Sequence, residues 1–184
     1  MLARNPRFKD DIELESSSEW IRDRILEVSQ GLRTLSLELR PDILDTMGLI
    51  PALSWLASRL KNEHIINTSV IINGVQRKIR PQTEVMVFRI VQEALNNVRW
   101  HADASKAVVT VSFTPNLFKI NIKDNGKWFL LSETTGTKWL KEGHFGILGM
   151  QQRTKLLNGT LDINSQPGRG TSVSIELPDY HMQR

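Results

Sequence analysis

The alternation of short strands with amphipathic helices after residue 67 constrains the fold of this chain more than any other feature. Runs that are β-branched or that alternate apolar and polar residues predict five strands: Ser69–Ile72, Ala107–Phe113, Phe118–Lys123, Leu161–Asn164 and Ser172–Leu177. Helical periodicity predicts three helices: Gly48–Asn62, Glu84–Trp100 and Gly146–Leu157. Tight turns join two of the strand pairs as hairpins, and the helices then cover one face of the sheet. We therefore predict a two-layer α/β sandwich with a mixed sheet.

The segment before Pro41 follows a different pattern. Its apolar residues recur at alternating spacings of four and three, and they are Ile21, Ile25, Val28, Leu32, Leu35 and Leu39. Such a seam, within the predicted helix Ser18–Leu39, is typical of a helix that packs against partner helices. An ordinary core helix is the alternative interpretation. Pro41 ends the helix, because the residue before a proline avoids helical backbone.

Composition excludes several classes of protein. The chain has 184 residues, of which 40% are hydrophobic, and it has no cysteine. It is therefore neither a disordered tail nor a disulfide scaffold, and it has no thiolate zinc site and no cysteine nucleophile. No apolar stretch approaches the length of a membrane span, and the charged start lacks the apolar region of a secretory signal. We therefore expect a cytoplasmic location.

The net charge of +4 comes from scattered basic residues. Nucleic-acid binding proteins usually carry a basic patch or a basic run interleaved with aromatic residues. This chain has no such run, so we expect no direct nucleic-acid partner.

A polar stripe lies beside the apolar face of the helix Glu84–Trp100. Arg89, Glu93 and Asn97 are spaced by four residues, so their side chains share one side of the helix. A carboxylate and an amide stacked in this way can hold a hydrated magnesium ion, which prefers oxygen ligands. An exposed polar face with an Arg89–Glu93 ion pair is the alternative interpretation of the stripe.

Two further groups of residues have the composition of a ligand site. Asp124 ends a predicted strand and is followed at once by a turn, Asn125–Gly126. Glycines precede the last predicted helix, and backbone N–H groups at such a position can approach phosphate oxygens. Taken singly, each of these groups is also explained by an ordinary turn.

In their order along the chain, these segments resemble a known family. FRIVQEALNNVRWH (88–101) resembles the N box of the histidine-kinase-type ATPase fold, and DNGKWF (124–129), HFGILGM (144–150) and PGRGT (167–171) resemble its three glycine boxes. LSLELRPDILDTMGLIPAL (35–53) is similar to the second dimerisation helix, and its exit, of one subfamily of bacterial sensor histidine kinases.

The resemblance implies the Bergerat-type ATP-binding fold with an N-terminal helical dimerisation segment. It divides the chain into a partial dimerisation segment (residues 1–45), an ATP-binding catalytic domain (46–180) and a short tail (181–184). If the chain is part of a longer, membrane-attached sensor, this portion is expected on the cytoplasmic side.

The resemblance also implies a role for individual residues. Glu93 would lie beside the triphosphate as the catalytic residue, Asn97 would bind Mg²⁺, and Asp124 would accept a hydrogen bond from the adenine amino group. Thr171 would help to hold the adenine side, and residues 130–144 would form a mobile lid. The remaining implied ATP-binding residues are His101, Gly126, Gly146, Gly149 and Met150.

The sequence departs from the family pattern in four ways. Trp128 replaces a glycine of the first glycine box, and we expect its indole to crowd the nucleotide. Trp100 replaces the lysine of the N box, and Arg99 cannot take its place because one residue rotates a helical side chain by about 100°. Gln152 replaces a glutamate. The phosphoacceptor helix has no counterpart, since the histidines of the chain are His64, His101, His144 and His181.

The favoured function is that of a histidine kinase catalytic domain. It would transfer the γ-phosphate of ATP to a histidine outside this chain segment, for relay to a response regulator, and the isolated chain would not autophosphorylate. We expect a weak homodimer through Ser18–Leu39. The alternative is a degenerate nucleotide-binding or dimerisation module, and an ATPase or protein-serine kinase on the same fold is less consistent with the segment 35–53.

Overall fold

The computed structural model describes residues 41–127 and 145–178. The chain divides into two compact units, Met1–Arg40 and Pro41–Arg184, and the described residues all belong to the second. Its helices are α1 (Asp42–Met47), α2 (Leu49–His64), α3 (Pro81–Asn97), continued by a π-helical turn (Val98–Ala102), and α4 (Phe145–Leu156). Its strands are β1 (Asn67–Asn73), β2 (Lys106–Phe113), β3 (Leu117–Asp124), β4 (Thr160–Gln166) and β5 (Gly170–Pro178).

The strands form one mixed sheet in the order β1-β2-β3-β5-β4. β1 pairs with β2 in parallel, and every other pairing is antiparallel. α2 packs over β1, α3 over the central strand β3, and α4 over β4. The predicted α/β sandwich, with its mixed sheet and two hairpins, is confirmed.

The core lies between α3 and the sheet. Every residue of the apolar face predicted for this helix is at most 4% exposed, and these residues are Val87, Ile90, Val91, Ala94, Leu95 and Val98. Pro81 stands at the first helical position, where its missing N–H costs nothing, so the helix begins three residues earlier than predicted. Burial of its apolar face fixes the rotation of α3, and thereby the direction of the polar stripe beside that face.

The sequence prediction missed α1. The predicted helix that Pro41 ends lies outside the described residues, and Asp42–Met47 forms a further helical segment directly after this proline. Leu44 is only 2% exposed and joins the core of the second unit. Gly48, at φ 76°, separates α1 from α2, and its N–H donates to the carbonyl of Leu44.

Three predicted features lie outside the described residues. They are the helix Ser18–Leu39, the indole of Trp128 and the lid, residues 130–144.

Candidate nucleotide-binding site

Asp124 is a buried carboxylate at the end of β3. It is 6% exposed, and its Oδ1 accepts hydrogen bonds from the backbone N–H of Gly126 at 2.8 Å and of Thr171 at 3.3 Å. Burial raises the pKa of the Asp124 carboxyl, and the two backbone hydrogen bonds oppose that shift. Both hydrogen bonds end on Oδ1, which leaves Oδ2 to accept a hydrogen bond from the amino group of a ligand.

Asn125 holds the turn after Asp124 in place. Its side-chain oxygen accepts hydrogen bonds from the N–H groups of Ser105 at 3.1 Å and Lys106 at 2.9 Å, and its amide nitrogen donates to the Ser105 hydroxyl. These bonds connect the end of β3 to the start of β2. The sequence analysis noted Asn125 only as a turn residue, because its partners lie twenty residues away and no local pattern marks them.

Backbone segments approach each other closely around Asp124. A Cβ atom on Gly126 would overlap the carbonyl of Ala102, and one on Gly170 would overlap the carbonyl of Asp124. Gly170 also has φ 72°, which disfavours any other residue. Thr171, which follows, is 9% exposed and shares a 2.9 Å hydrogen bond with the Ser165 hydroxyl. The first and third glycine boxes therefore form one tightly packed wall.

The polar stripe on α3 has a different character. Glu93 and Asn97 are half-buried, and within residues 41–127 and 145–178 neither side chain has a hydrogen-bond or ion-pair partner. The Arg89–Glu93 pair offered as the alternative interpretation does not form. Arg89 Nη1 instead donates to Gln92 Oε1 at 2.9 Å. Glu93 and Asn97 are thus available to a ligand.

The second glycine box meets the N box at Glu93. A Cβ atom on Gly146 would overlap Oε1 of Glu93 and come within 2.9 Å of its Cδ, so this glycine lets α4 begin directly against the carboxylate. Gly149 differs, because a Cβ there would meet the tip of the Arg153 side chain at 2.9 Å. Met150 is 1% exposed and packs in the core, so its predicted contact with nucleotide remains a prediction.

The end of α3 carries the residues that depart from the family pattern. His101 and Trp100 are exposed, and the Arg99 guanidinium stacks 4.1 Å from the centre of the Trp100 ring. The pKa of Glu63 on α2 lies below its ordinary value, chiefly because Arg59 donates a hydrogen bond to it, and the charge of Arg99 contributes to the shift. Arg99 thus lies near enough to α2 for its charge to act weakly on Glu63. The expectation that it does not replace the N-box lysine stays a prediction.

The donor set suits magnesium bound together with a triphosphate. Among the described residues, no group of three His, Asp or Glu side chains could hold a metal ion by itself. Mg²⁺ is commonly held by one or two protein oxygens, with phosphate oxygens and water completing its shell. Asn97 offers one such amide oxygen and has no competing partner among the described residues. The residues present therefore fit the implied metal.

The fold and these motifs define a class of protein. Residues 82–181, more than half of the chain, match the family model described as "Histidine kinase-, DNA gyrase B-, and HSP90-like ATPase". The chain belongs to this family of ATPase domains, and the predicted family resemblance is confirmed.

The curated relatives are sensor histidine kinases. The chain is 34% identical over 175 residues to the histidine-protein kinase/phosphatase DegS of Brevibacillus brevis, covering 94% of this chain and 44% of the relative. It is 37% identical over 142 residues to DegS of Bacillus subtilis (strain 168), and the match covers 76% of this chain and 36% of the relative. The oxygen sensor histidine kinase NreB of Staphylococcus carnosus (strain TM300) is 31% identical, and the match covers 92% of this chain and 48% of NreB. The chain thus spans less than half the length of these relatives.

Solved structures of low sequence identity share the fold. A blue-light activated histidine kinase of Erythrobacter litoralis is 22% identical with a TM-score of 0.57, and the match covers 83% of this chain and 49% of that one. The ATP binding domain of PrrB from Mycobacterium tuberculosis is 19% identical with a TM-score of 0.55, covering 70% and 91%. In the part of this chain that the structure describes, no helix is long and apolar enough to cross a bilayer.

Proposed function

We propose that this chain binds Mg²⁺-ATP and acts as the catalytic domain of a two-component sensor histidine kinase. The observation that carries the proposal is the hydrogen bonding of the Asp124 carboxylate: the backbone N–H groups of Gly126 and Thr171 both donate to Oδ1, and no other residue of the described ranges donates to Oδ2. This is the arrangement that an exocyclic amino group of a purine requires. Membership of the ATPase family supports adenine as that purine.

The adenine end of the site is a rigid recognition surface. Gly126 and Gly170 let backbone segments close around Asp124, and the Ser165–Thr171 hydroxyl pair lies beside it. The carboxylate is already desolvated, so the hydrogen bond that it accepts from a ligand is not weakened by competing water. Asp124 therefore orients the base and fixes where the phosphates begin.

The phosphate end of the site is the stripe on α3. Asn97 would hold the metal ion that accompanies ATP, and magnesium supplies positive charge that neutralises the triphosphate. Glu93 carries the carboxylate of the stripe, so it is the candidate to accept a proton as an imidazole nitrogen attacks phosphorus. The contribution of this chain to transfer is positioning of the γ-phosphate in line with that nitrogen.

The acceptor histidine and the remaining partners would come from outside the described residues. We propose that the γ-phosphate passes to a histidine outside this chain segment and then to a response regulator. The chain would work in the cytoplasm, where these partners and ATP are found. Its predicted seam between Ser18 and Leu39 would support a weak homodimer.

A second candidate function is nucleotide binding without phosphotransfer. It is favoured by Trp100, which is 65% exposed at the position where the family has lysine, and by Arg99, whose guanidinium stacks on the Trp100 ring. The two candidates share the nucleotide site and differ in what happens to the γ-phosphate.

Calorimetry with an imido analogue of ATP tests the shared site. We expect Asp124→Asn to weaken binding by about 1–3 kcal/mol, because a charged acceptor is replaced by a neutral amide. Asp162→Asn is the matched control, since Asp162 is an exposed carboxylate on the edge strand β4. Equal affinity of the wild type and Asp124→Asn would contradict the assignment of Asp124.

Incubation with radiolabelled ATP separates kinase from binding module. We expect no label on the isolated chain, and an acid-labile, alkali-stable label on an acceptor when the phosphoacceptor helix of a sensor histidine kinase is fused ahead of residue 18. Glu93→Gln in the same fusion should abolish that label while nucleotide remains bound. A nucleotide-bound fusion that never becomes labelled would favour the binding module, and a labelled histidine on the isolated chain would show that an acceptor lies within it.

A further inference from the structure

Arg89 is a half-buried cation whose charge the described residues do not balance. Its Nη1 donates to the neutral amide oxygen of Gln92, and its Nε is buried without a hydrogen-bond partner. Across residues 41–127 and 145–178, no carboxylate forms an ion pair with it. A buried guanidinium with an unmade hydrogen bond is costly unless an anion completes its shell.

The other cations around α3 already have partners. Arg99 stacks on Trp100 beside α2, Arg59 is hydrogen-bonded to Glu63, and Lys127 pairs with Asp103 at 2.8 Å. Arg59 and Lys127 thus face carboxylates and Arg99 faces an aromatic ring, whereas the hydrogen bond of Arg89 goes to a neutral amide oxygen. The planar fork of an arginine matches the geometry of phosphate oxygens.

The position of Arg89 along α3 defines which phosphate it would meet. The adenine end lies at Gly126, which packs on the carbonyl of Ala102, and the stripe runs from there toward the N-terminus of the helix. Asn97, Glu93 and Arg89 follow at steps of about 6 Å along the axis. The bond to Gln92, three residues later in the helix, directs the Arg89 guanidinium toward the C-terminal end of α3, on which Glu93 and Asn97 lie.

We propose that Arg89 binds the terminal phosphate of ATP and lets the site discriminate nucleoside triphosphates from diphosphates. The inference rests on the proposed nucleotide site and extends it beyond Glu93 and Asn97. A ligand that ends at the β-phosphate leaves the Arg89 guanidinium without an anionic partner among the described residues. A ligand with a γ-phosphate supplies the anion that the guanidinium lacks.

The test compares two nucleotides on matched variants of the full chain. Affinities of Mg²⁺-ADP and of the Mg²⁺ imido analogue of ATP are measured by calorimetry for wild type, Arg89→Gln, Arg89→Lys and the control Arg59→Gln, which removes an exposed arginine on α2. We expect Arg89→Gln to lower the affinity for the triphosphate analogue by about 10–100-fold, since one charge-assisted contact is lost. Its affinity for the diphosphate should fall by less than about threefold. Arg89→Lys should retain part of the discrimination, because its charge remains and its fork does not.

Each outcome decides the proposal. If Arg89→Gln and Arg89→Lys lower the affinities for both nucleotides by the same factor, Arg89 supports the helix and does not bind the γ-phosphate. The proposal would then fail. Unchanged affinities would also overturn it. If the wild type binds neither nucleotide, the proposed function itself fails, and that result is distinguishable because it precedes any effect of the variants. Should Arg89→Gln not fold, the ratio of affinities in Arg89→Lys still decides.

Discussion

The two ends of the proposed nucleotide site are built in different ways. At the adenine end, backbone N–H groups, tight glycine contacts and the Asn125 side chain fix Asp124 before any ligand arrives. At the phosphate end, Glu93 and Asn97 project from α3 without partners among the described residues. Under the proposed function, base recognition is therefore preorganised in the backbone, while the charged end of the ligand completes the hydrogen bonding of side chains. Glycine substitutions at the adenine end should mainly lower stability, and a glycine substitution at the phosphate end should mainly lower affinity.

The largest effect is expected for Gly170→Ala. The new Cβ overlaps the carbonyl of Asp124, and alanine at φ 72° is strained, so the free energy of unfolding should fall by about 3 kcal/mol. Gly168→Ala is the control, because Gly168 has the same φ of 72° but nothing within 4 Å of its Cβ position. Gly168→Ala should lower the free energy of unfolding by about 1 kcal/mol. Urea unfolding measures both, and equal losses would show that strain alone, not close packing, makes Gly170 necessary.

A smaller effect, and one of a different kind, is expected for Gly146→Ala. The Cβ pushes the Glu93 side chain aside, so the affinity for the Mg²⁺ imido analogue should fall by about 1 kcal/mol. The free energy of unfolding should hold or rise slightly, because alanine favours the helical backbone of α4. Gly149→Ala should cost less affinity, since its Cβ meets only the flexible tip of Arg153. A loss of stability without a loss of affinity would contradict the division between the two ends.

The smallest effect concerns the pH dependence of stability. Burial raises the pKa of Asp124 in the folded state, so the folded protein binds a proton more tightly than the unfolded chain. The contribution of Asp124 to the free energy of unfolding is fully present below the ordinary pKa of its carboxyl, 3.8. It decreases as pH rises through the raised pKa of the folded state. Asp124→Asn, which cannot ionise, should lack this decrease, and bound nucleotide should reduce it in the wild type.

Urea unfolding of the wild type and of Asp124→Asn across that pH range measures the difference. Asp162→Asn serves again as the control, because its carboxylate is exposed. A wild-type protein that gains stability relative to Asp124→Asn as pH rises would show that the hydrogen bonds from Gly126 and Thr171 outweigh burial.

Local patterns predicted the elements but not all of their ends. The burial of the apolar face of α3 followed from its 3.6-residue periodicity, and the alternation in β2 and β3 defined their inward sides. The prediction extended this helix to Trp100, whereas the α-helix ends at Asn97 and a π-helical turn continues to Ala102. The helix α1 was missed because it is six residues long and its burial depends on one leucine, Leu44.

The site was predicted as a set of motifs and not as a set of contacts. Asp124, Gly126 and Thr171 were singled out from three separate segments, and the structure connects them through hydrogen bonds to Oδ1 of Asp124. The Arg89–Glu93 ion pair, which helical spacing allows, does not form because Arg89 bonds to Gln92 and Glu93 lies against Gly146. Spacing along one helix defines which pairs are possible, and neighbouring elements decide between them.

Local sequence patterns are enough to predict the kind and order of the elements, the face of α3 that packs on the sheet, and the polar residues at the border of that face. These follow from local periodicity and turn chemistry, which act over a few residues. The hydrogen bond from the Thr171 N–H to Asp124, 47 residues away, and the start of α4 against Glu93 arise from the tertiary fold. Such contacts depend on how the sheet brings distant strands side by side, and no short-range pattern encodes the distance between two atoms in different elements.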